Sequence, residues 1–317
     1  MIDPSASTSS RAIAATESVM APVGAGGAGK PRSLTSDAWH DLRHRPLFAL
    51  SVTLIAVLLV LAAAPGLFTS VDPNTADLAR SRQEPSAQAW FGYDLQGRDI
   101  YARTIYGTRV SIVVGVLATT IAVLIGGSMG IVAGYVGGWL DALLSRIADV
   151  FFGLPFVLGA IVALTTLREV TGGSAVAITA LVVGIMGLLT WPVTMRIMRS
   201  AAISARQQDY VRAARGLGAG PWRVIRRHLL PNCLAPVLVY ASIALGAFIG
   251  AEATLSFLGI GLRDPVVSWG VMISEARDYV RSSPHMVLFP AGFLAVTVLA
   301  FVMLGDAVRE AFDPKSR

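Results

Sequence analysis

The feature that most constrains this chain is a set of six long apolar runs. They cover residues 47–67, 110–132, 147–167, 175–195, 233–253 and 286–304. About 20 apolar residues at a rise of 1.5 Å per residue are enough to cross the hydrocarbon core of a bilayer. The sequence therefore predicts an all-α membrane protein with six transmembrane helices. The alternative is a soluble helical bundle rich in alanine and leucine.

The composition favours the membrane protein. Hydrophobic residues make up 54% of the chain and charged residues only 15%, whereas soluble domains contain about 25% charged residues. The net charge is +6, and lysine occurs only at Lys30 and Lys315, so arginine carries most of the positive charge. Clustered arginine can bind nucleic acid, but in membrane proteins it more often sets topology, and we expect no nucleic-acid partner.

Residues 1–46 are polar and rich in serine, alanine and glycine, which indicates a disordered cytoplasmic N-terminal tail with no secretory signal. Within it, Gly24, Gly29 and Lys30 match the first seven positions of a phosphate-binding loop. Pro31 stands where a serine or threonine would hold magnesium, and no strand or helix pattern flanks the motif. We therefore expect this chain to bind no nucleotide.

Charge in the loops predicts the orientation of the helices. The stretch 196–230 has only one acidic residue, Asp209, against eight arginines: Arg196, Arg199, Arg206, Arg212, Arg215, Arg223, Arg226 and Arg227. The loops 69–108 and 256–285 carry balanced charge. Because positive charge accumulates in cytoplasmic loops, we expect 196–230 and both termini to be cytoplasmic and the two balanced loops to be outside. The membrane domain would then cover residues 47–317.

The cytoplasmic stretch has a folded pattern of its own. Small or apolar residues with helical spacing precede a glycine-rich break, and a second short helical pattern begins at Pro221 and leads to Pro231. One interpretation is an interfacial element whose arginines bind anionic headgroups. The other is a surface that docks into a protein cleft, because the Ala213–Ala214 pair allows close approach.

These residues resemble the "EAA" motif of the membrane subunits of ATP-binding-cassette (ABC) importers. Ala213, Ala214, Gly218, Leu230 and Pro231 are in register with the motif, whereas Arg212 replaces its leading glutamate. Arg212 and His228 at these positions resemble the version of the motif found in one subfamily, the C-type subunits of the dipeptide/oligopeptide/nickel permeases. The stretches "WFGYDLQGRDIYARTIYGTRVSIVVG", "AEATLSFLGIGLRDPVVSWG" and "GDAVREAFDP" also resemble this family.

The resemblance implies a type I importer bundle in the bacterial plasma membrane, with a cytoplasmic loop that couples to separate ATPase subunits. The ATPase-coupling residues would be Asp209, Tyr210, Arg212, Ala213, Ala214, Gly218, Trp222, His228, Leu230, Pro231 and Asn232. Implied partners are a second permease, two ATP-binding subunits or a fused ATPase, and an extracytoplasmic binding protein. ATP and magnesium would belong to those ATPase partners, and this chain would bind no cofactor.

Several residues in or near the apolar runs raise separate expectations. Glu252 is either part of the translocation path or, as we favour, an interfacial cap or partner of Arg263. Residues Arg146 and Asp149 have the spacing of a helix-surface ion pair. We expect close helix packing at Gly126, Gly127, Gly130 and Gly134. Pro155 and Pro192 should kink their helices. The amphipathic run at residues 97–110 should lie along the outer surface.

Neither a catalytic site nor a metal site is predicted. The histidines His40, His44, His228 and His285 are scattered without ligand spacing. The function that follows from the resemblance is import of dipeptides or oligopeptides as half of the translocation path. Nickel chelates, haem or another small solute are alternative substrates. A stand-alone secondary transporter is less favoured because the two halves show no repeat.

Overall fold

The computed structural model describes residues 45–312, which form ten α-helices. They are α1 (Pro46–Ala63), α2 (Ile100–Val136), α3 (Gly138–Gly153), α4 (Phe156–Leu167), α5 (Ala175–Arg206), α6 (Asp209–Gly216), α7 (Pro221–Val224), α8 (Leu230–Phe257), α9 (Trp269–Ala276) and α10 (His285–Phe312). A π-helical turn, Ile225–Leu229, joins α7 to α8. The described residues contain no strand beyond one isolated bridge, Tyr93 to Asp99. Residues 1–44 of the predicted tail, which include Lys30, lie outside this range, whereas Pro46 already begins α1.

The helices confirm the all-α membrane fold that the apolar runs predict. Five helical stretches in the described range are long and apolar enough to span a membrane: α1, α2, α5, α10 and the continuous stretch from α7 through α8. The helices α3 and α4 meet at a bend of 87°, and counting them as one broken span gives six. The third predicted segment is therefore present but broken.

The break between α3 and α4 follows from proline chemistry. Leu154 is extended, with φ −85° and ψ 117°, and Pro155 precedes the first residue of α4. A proline disfavours helical geometry in the residue before it. The predicted kink at Pro155 is thus a full break, whereas α5 continues as a helix through Pro192.

Helices α2 and α5 pack closely because glycine lines their contact. A Cβ atom added at Gly126 would lie 2.3 Å from the Trp191 carbonyl oxygen, and one at Gly130 would lie 2.5 Å from the Met195 carbonyl oxygen. A Cβ atom added at Gly134 would lie 2.7 Å from the Arg199 carbonyl oxygen, which also belongs to α5. The predicted close packing is confirmed at Gly126, Gly130 and Gly134, whereas a Cβ atom added at Gly127 would make only an ordinary contact, 3.6 Å from Met198.

The helices α1, α8 and α10 complete the bundle. An added Cβ at Gly246 of α8 would lie 3.1 Å from the Val298 oxygen of α10, so these helices also approach closely. Leu58 and Leu61 of α1 belong to a buried cluster with Phe301 of α10. This cluster holds the first helix against the last.

The charged residues of α3 pair with α5 rather than with one another. Asp149 forms an ion pair with Arg196 at 2.9 Å, so the predicted pairing of Arg146 with Asp149 is wrong. Asp141 binds Arg199 through both carboxylate oxygens, at 2.5 and 2.7 Å. Facing side chains of two packed helices are the nearer partners here.

Several boundaries differ from the sequence interpretation. Helix α2 begins at Ile100, so residues 100–108 belong to it and not to the first outer loop. The Asp99 side chain caps this helix by accepting a hydrogen bond from the Ala102 amide at 2.9 Å. The amphipathic run predicted to lie along the surface is instead buried from Ile100 to Ile105 in all but one position. At the other end of the bundle, α5 extends to Arg206, and the connecting loop is correspondingly shorter.

Candidate functional site: the loop between α5 and α8

The loop between α5 and α8 folds as a helix, a tight turn and a second helix, as its sequence pattern predicts. Gly218 has a φ of +82°, a conformation that glycine adopts without strain. The Ala219 amide donates to the Ala214 carbonyl at 3.0 Å, which closes the end of α6. Pro221 then occupies the first turn of α7, where its missing N–H is not needed.

Three buried residues fix this loop to the bundle. Val211 of α6, Val224 of α7 and Leu229 of the π-turn are fully buried. They pack in one cluster with Ile131, Met198, Ala202, Cys233 and Val237, which belong to α2, α5 and α8. The loop is therefore packed against three membrane-spanning helices through one shared apolar cluster.

The predicted coupling residues lie on the opposite, accessible side of the loop. Exposed residues among them are Asp209, Tyr210, Arg212, Ala213, Gly218, Trp222, Pro231 and Asn232, while Ala214, His228 and Leu230 are partly buried. A Cβ atom added at Gly218 would meet nothing within 4 Å. The loop thus presents small residues to solvent together with the larger Leu217 and Trp222, which are 89% and 70% exposed, while its buried side is anchored in the bundle. The position of each coupling residue is defined, but the docking role stays a prediction.

Five of the eight arginines between positions 196 and 227 have partners within the chain. Arg196 and Arg199 bind acidic residues of α3. Arg206 donates to the Tyr135 carbonyl at 2.9 Å, and the Arg215 guanidinium lies 4.9 Å from the Tyr135 ring. Arg212, which replaces the glutamate of the motif, lies 3.8 Å from Asp209 in an exposed pair and is left accessible to a partner.

Glu252 lies near the other end of α8 and is completely buried. Its Oε1 atom accepts hydrogen bonds from the Ser256 hydroxyl at 2.7 Å and the Ser268 hydroxyl at 3.0 Å. Arg263 instead donates to the Gly259 carbonyl, so the favoured pairing of Glu252 with Arg263 is wrong. The carboxyl holds α8 to the start of α9; its place in a translocation path remains a prediction.

Sequence reasoning missed an ion cluster at this same end. Arg98 binds Asp94 at 2.6 Å and Glu275 at 2.7 Å, and Arg103 of α2 also reaches Glu275 at 3.2 Å. Burial raises the pKa of Glu275, and the positive charges of Arg103 and Arg98 oppose that rise. The one available signal was the equal number of acids and arginines in the two loops, which does not say which residues meet.

Comparison with known proteins decides the family. Residues 126–317, which include the whole loop between α5 and α8, match the family of binding-protein-dependent transport system inner membrane components. The chain belongs to this family. It is a multi-pass plasma-membrane protein and the permease subunit of an ABC importer.

Curated relatives match the permease along most of its length. The dipeptide transport system permease protein of Alkalihalophilus pseudofirmus is 37% identical, over 89% of this chain and 90% of that protein. The oligopeptide transport system permease protein of Bacillus subtilis is 34% identical over 91% and 92%. The glutathione transport system permease protein of Pectobacterium atrosepticum is 37% identical over 76% and 78%.

A solved structure shares the fold of the permease at low sequence identity. The inward-facing MetNI methionine ABC transporter superposes with a TM-score of 0.55 and 19% identity. The superposition covers 67% of this chain and 97% of that one. This likeness supports the importer-type helical bundle.

Proposed function

We propose that this permease imports dipeptides or oligopeptides and contributes half of the translocation path. The relatives similar to it along most of its length are permeases for dipeptides, oligopeptides and glutathione, which is itself a small peptide. Nickel chelates, haem and other small solutes are the alternative substrates. A second, homologous permease supplies the other half, and an extracytoplasmic binding protein delivers the substrate.

The observation that carries the coupling role is the two-sided construction of the loop between α5 and α8. Ala213 and Gly218 are small and accessible on one side of the loop, whereas Val211 and Val224 anchor the same loop in the bundle. An ATPase groove would receive the small-residue side, since small side chains permit close approach. Closure of the ATPases on ATP would then move α5 and α8 with the loop. These ATPase subunits hold ATP and magnesium, and the permease binds no cofactor.

Substitution of Ala213 and Ala214 by aspartate tests this coupling surface. We expect A213D/A214D to lose uptake at least tenfold and to co-purify with less ATPase, because two charges in a close contact must be desolvated without partners. The purified chain should remain folded, since Ala213 is exposed and Ala214 is only partly buried. The matched control is Ala87→Asp, an exposed alanine in the loop between α1 and α2. Normal ATPase yield and uptake in the double variant would refute the assignment.

ATP hydrolysis tests the division of labour between subunits. We expect the purified permease alone to hydrolyse no ATP, and Lys30→Ala to leave transport unchanged, because Pro31 replaces the magnesium-binding residue of the tail motif. Activity should appear only when the ATPase subunits are added. Loss of uptake in Lys30→Ala would show that the tail takes part in transport.

The substrate is tested with the assembled complex. The ligands that co-purify with its binding protein can be identified by mass spectrometry, and each can then be tested for stimulation of ATPase activity in proteoliposomes. Short peptides should both bind and stimulate hydrolysis. Stimulation by a nickel chelate or haem, with none by peptides, would replace the peptide assignment and leave the permease function intact.

A further inference from the structure

The inference concerns an open cleft at the end of the bundle that carries the ion cluster. The cleft lies between the last turn of α8, the connection to α9 and α9 itself. Its volume of about 390 Å³ corresponds, for a compact shape, to a width of roughly 7 Å, about the span of an extended dipeptide. Small-molecule sites usually have volumes of about 300–1,000 Å³. The cleft is therefore large enough for a short peptide and too small for a folded protein to enter.

Charged side chains of both signs line this cleft. They are Arg263, Asp264, Glu275, Arg277 and Asp278. Two of the three acids, Asp264 and Glu275, already bind Arg98 of the ion cluster. Because basic and acidic groups lie together, the lining is complementary to a ligand that carries both a negative and a positive charge.

Arg263 is prepared to bind a carboxylate. It forms no ion pair with any residue in the range 45–312, and its side chain is exposed. Its Nε and Nη2 atoms donate to the Gly259 carbonyl, which fixes the guanidinium group. The remaining N–H donors have no partner in the same range. A guanidinium group held in this way can donate paired hydrogen bonds to a carboxylate.

A second arginine adds positive charge beside Arg263. Arg168 lies in the turn that follows α4. Burial and, second, the positive charge of Arg263 lower the pKa of the Arg168 guanidinium, and no acidic residue of the described chain opposes this effect. Two like charges at close range repel one another. An anionic group bound at Arg263 would reduce that repulsion.

Asp278 supplies a negative charge on the α9 side of the cleft. Its side chain is 78% exposed, and within residues 45–312 its ion-pair contact is with the adjacent Arg277, at 3.7 Å. This distance is too long for a hydrogen bond, so the carboxylate can accept hydrogen bonds from an ammonium group. The buried side chains of Leu262 and Val271 form an apolar part of the inner wall.

We propose that this cleft is an entry site for short peptides, in which Arg263 binds the terminal carboxylate and Asp278 binds the terminal ammonium group. Every unmodified peptide carries these two groups, whatever its side chains. A site that recognises them would therefore accept peptides of different sequence. The proposal rests on the proposed peptide function and on the predicted outer position of the loop 256–285.

Photo-crosslinking tests the site in the assembled complex of permeases and ATPases, held in nanodiscs without the binding protein. The probe is alanyl-photo-leucine, a dipeptide with a diazirine side chain, and mass spectrometry identifies the labelled segments. Residues 256–278 of the wild-type chain should be labelled. Unlabelled Ala-Leu should compete, whereas N-acetyl-Ala-Leu-amide, which lacks both charges, should not. Absence of labelling in this segment, or equal competition by the capped peptide, would overturn the proposal.

Variants at the two charged positions test which end of the peptide each residue binds. Arg263→Gln should reduce labelling roughly three- to tenfold, because charge-assisted hydrogen bonds are lost. Ala-Leu and Ala-Leu-amide should then compete equally. Asp278→Asn should instead remove the difference between Ala-Leu and N-acetyl-Ala-Leu. A carboxylate preference that persists in Arg263→Gln would overturn the assignment.

Arg281→Gln is the matched control for Arg263→Gln. It removes the same charge from an exposed side chain of the same loop, and Arg281 does not line the cleft. Labelling in this variant should change by less than about twofold, as expected for an exposed charge without direct contact. Arg263→Lys keeps the charge and should be labelled more strongly than Arg263→Gln. An equal loss in Arg281→Gln would attribute the effect to general positive charge and overturn the proposal.

Two further measurements separate the site from the binding protein and from the peptide function itself. The complex with Arg263→Gln should bind the binding protein as tightly as the wild type does. A loss of that binding with unchanged labelling would overturn the proposal and assign the cleft to the binding protein. Uptake of Ala-Leu by the wild-type complex without labelling of the cleft would reject the site and leave peptide import intact. Absence of uptake of any peptide would reject the function on which the site rests.

Discussion

At the scale of single residues, the distance between α2 and α5 depends on positions without a side chain. Gly130 lies against the backbone of α5, where an added Cβ would be 2.5 Å from the Met195 oxygen and 3.0 Å from the Arg199 nitrogen. Backbone atoms cannot move aside as a flexible side chain can. Gly130 is therefore part of the packing that supports the loop between α5 and α8, since residues of α2 and α5 lie in the same cluster as that loop.

Replacement of Gly130 by alanine should destabilise the purified chain by about 1–3 kcal/mol, the usual cost of overpacking. The measurement is the thermal unfolding transition in detergent. Gly184→Ala on α5 is the matched control, because an added Cβ there meets nothing within 4 Å, and alanine is the better helix former. Equal transitions for the two variants would mean that the contact between α2 and α5 tolerates a methyl group.

At the scale of elements, charged side chains hold the ends of helices in place. The ion cluster ties the start of α2 to α9 and to the loop before α2, through residues more than 160 positions apart in the sequence. Arg98 and Arg103 are almost fully buried, with 4% and 1% of their side chains exposed. A buried guanidinium without its counter-ion is costly, so the acidic members are essential to this contact.

Glu275→Gln should lower the stability of the chain by about 1–3 kcal/mol, because the carboxylate accepts hydrogen bonds from two buried arginines. Asp264→Asn is the matched control: Asp264 also contacts Arg98, at 3.3 Å, but its side chain is 62% exposed, and exposed pairs contribute about 0–1 kcal/mol. Thermal unfolding and hydrogen exchange in α9 measure the difference. A larger loss in Asp264→Asn would place the main support of α9 elsewhere.

At the scale of the whole molecule, the two ends of the bundle differ in character. One carries the anchored loop between α5 and α8, with unpaired arginines and small accessible residues. The other carries the ion cluster of Arg98 and Arg103 and the long loop between α1 and α2. Positive charge on cytoplasmic loops predicts that the first end is inside the cell. This orientation agrees with the proposed ATPase contact and requires a direct test.

Cysteine labelling in intact cells checks the orientation. Gln88 and Gln208 are exposed at opposite ends, and the native Cys233 is fully buried, so the wild-type chain is the unlabelled control. A membrane-impermeant maleimide should label Gln88→Cys in intact cells and Gln208→Cys only after permeabilisation. The reverse pattern would invert the topology and separate the loop between α5 and α8 from any cytoplasmic ATPase.

The amino-acid sequence alone determined the membrane class, the apolar spans and the helix–turn–helix of the loop between α5 and α8. Each depends on local signals. A run of about 20 apolar residues is stable inside a bilayer and not in water. Gly218 and Pro221 set the turn because their backbone angles differ from those of other residues. The match of the residues around Ala213 to a known motif added the family.

Only the tertiary structure decided which charged side chains form ion pairs and hydrogen bonds with one another. Asp149 pairs with Arg196 and not with Arg146, Glu252 binds serines and not Arg263, and Arg98 finds Glu275. It also showed that Arg223, Arg226 and Arg227 are left without partners in the range 45–312, while their neighbours are paired. Side-chain pairing depends on which helix faces pack together, and residues far apart along the chain acquire that proximity only on folding.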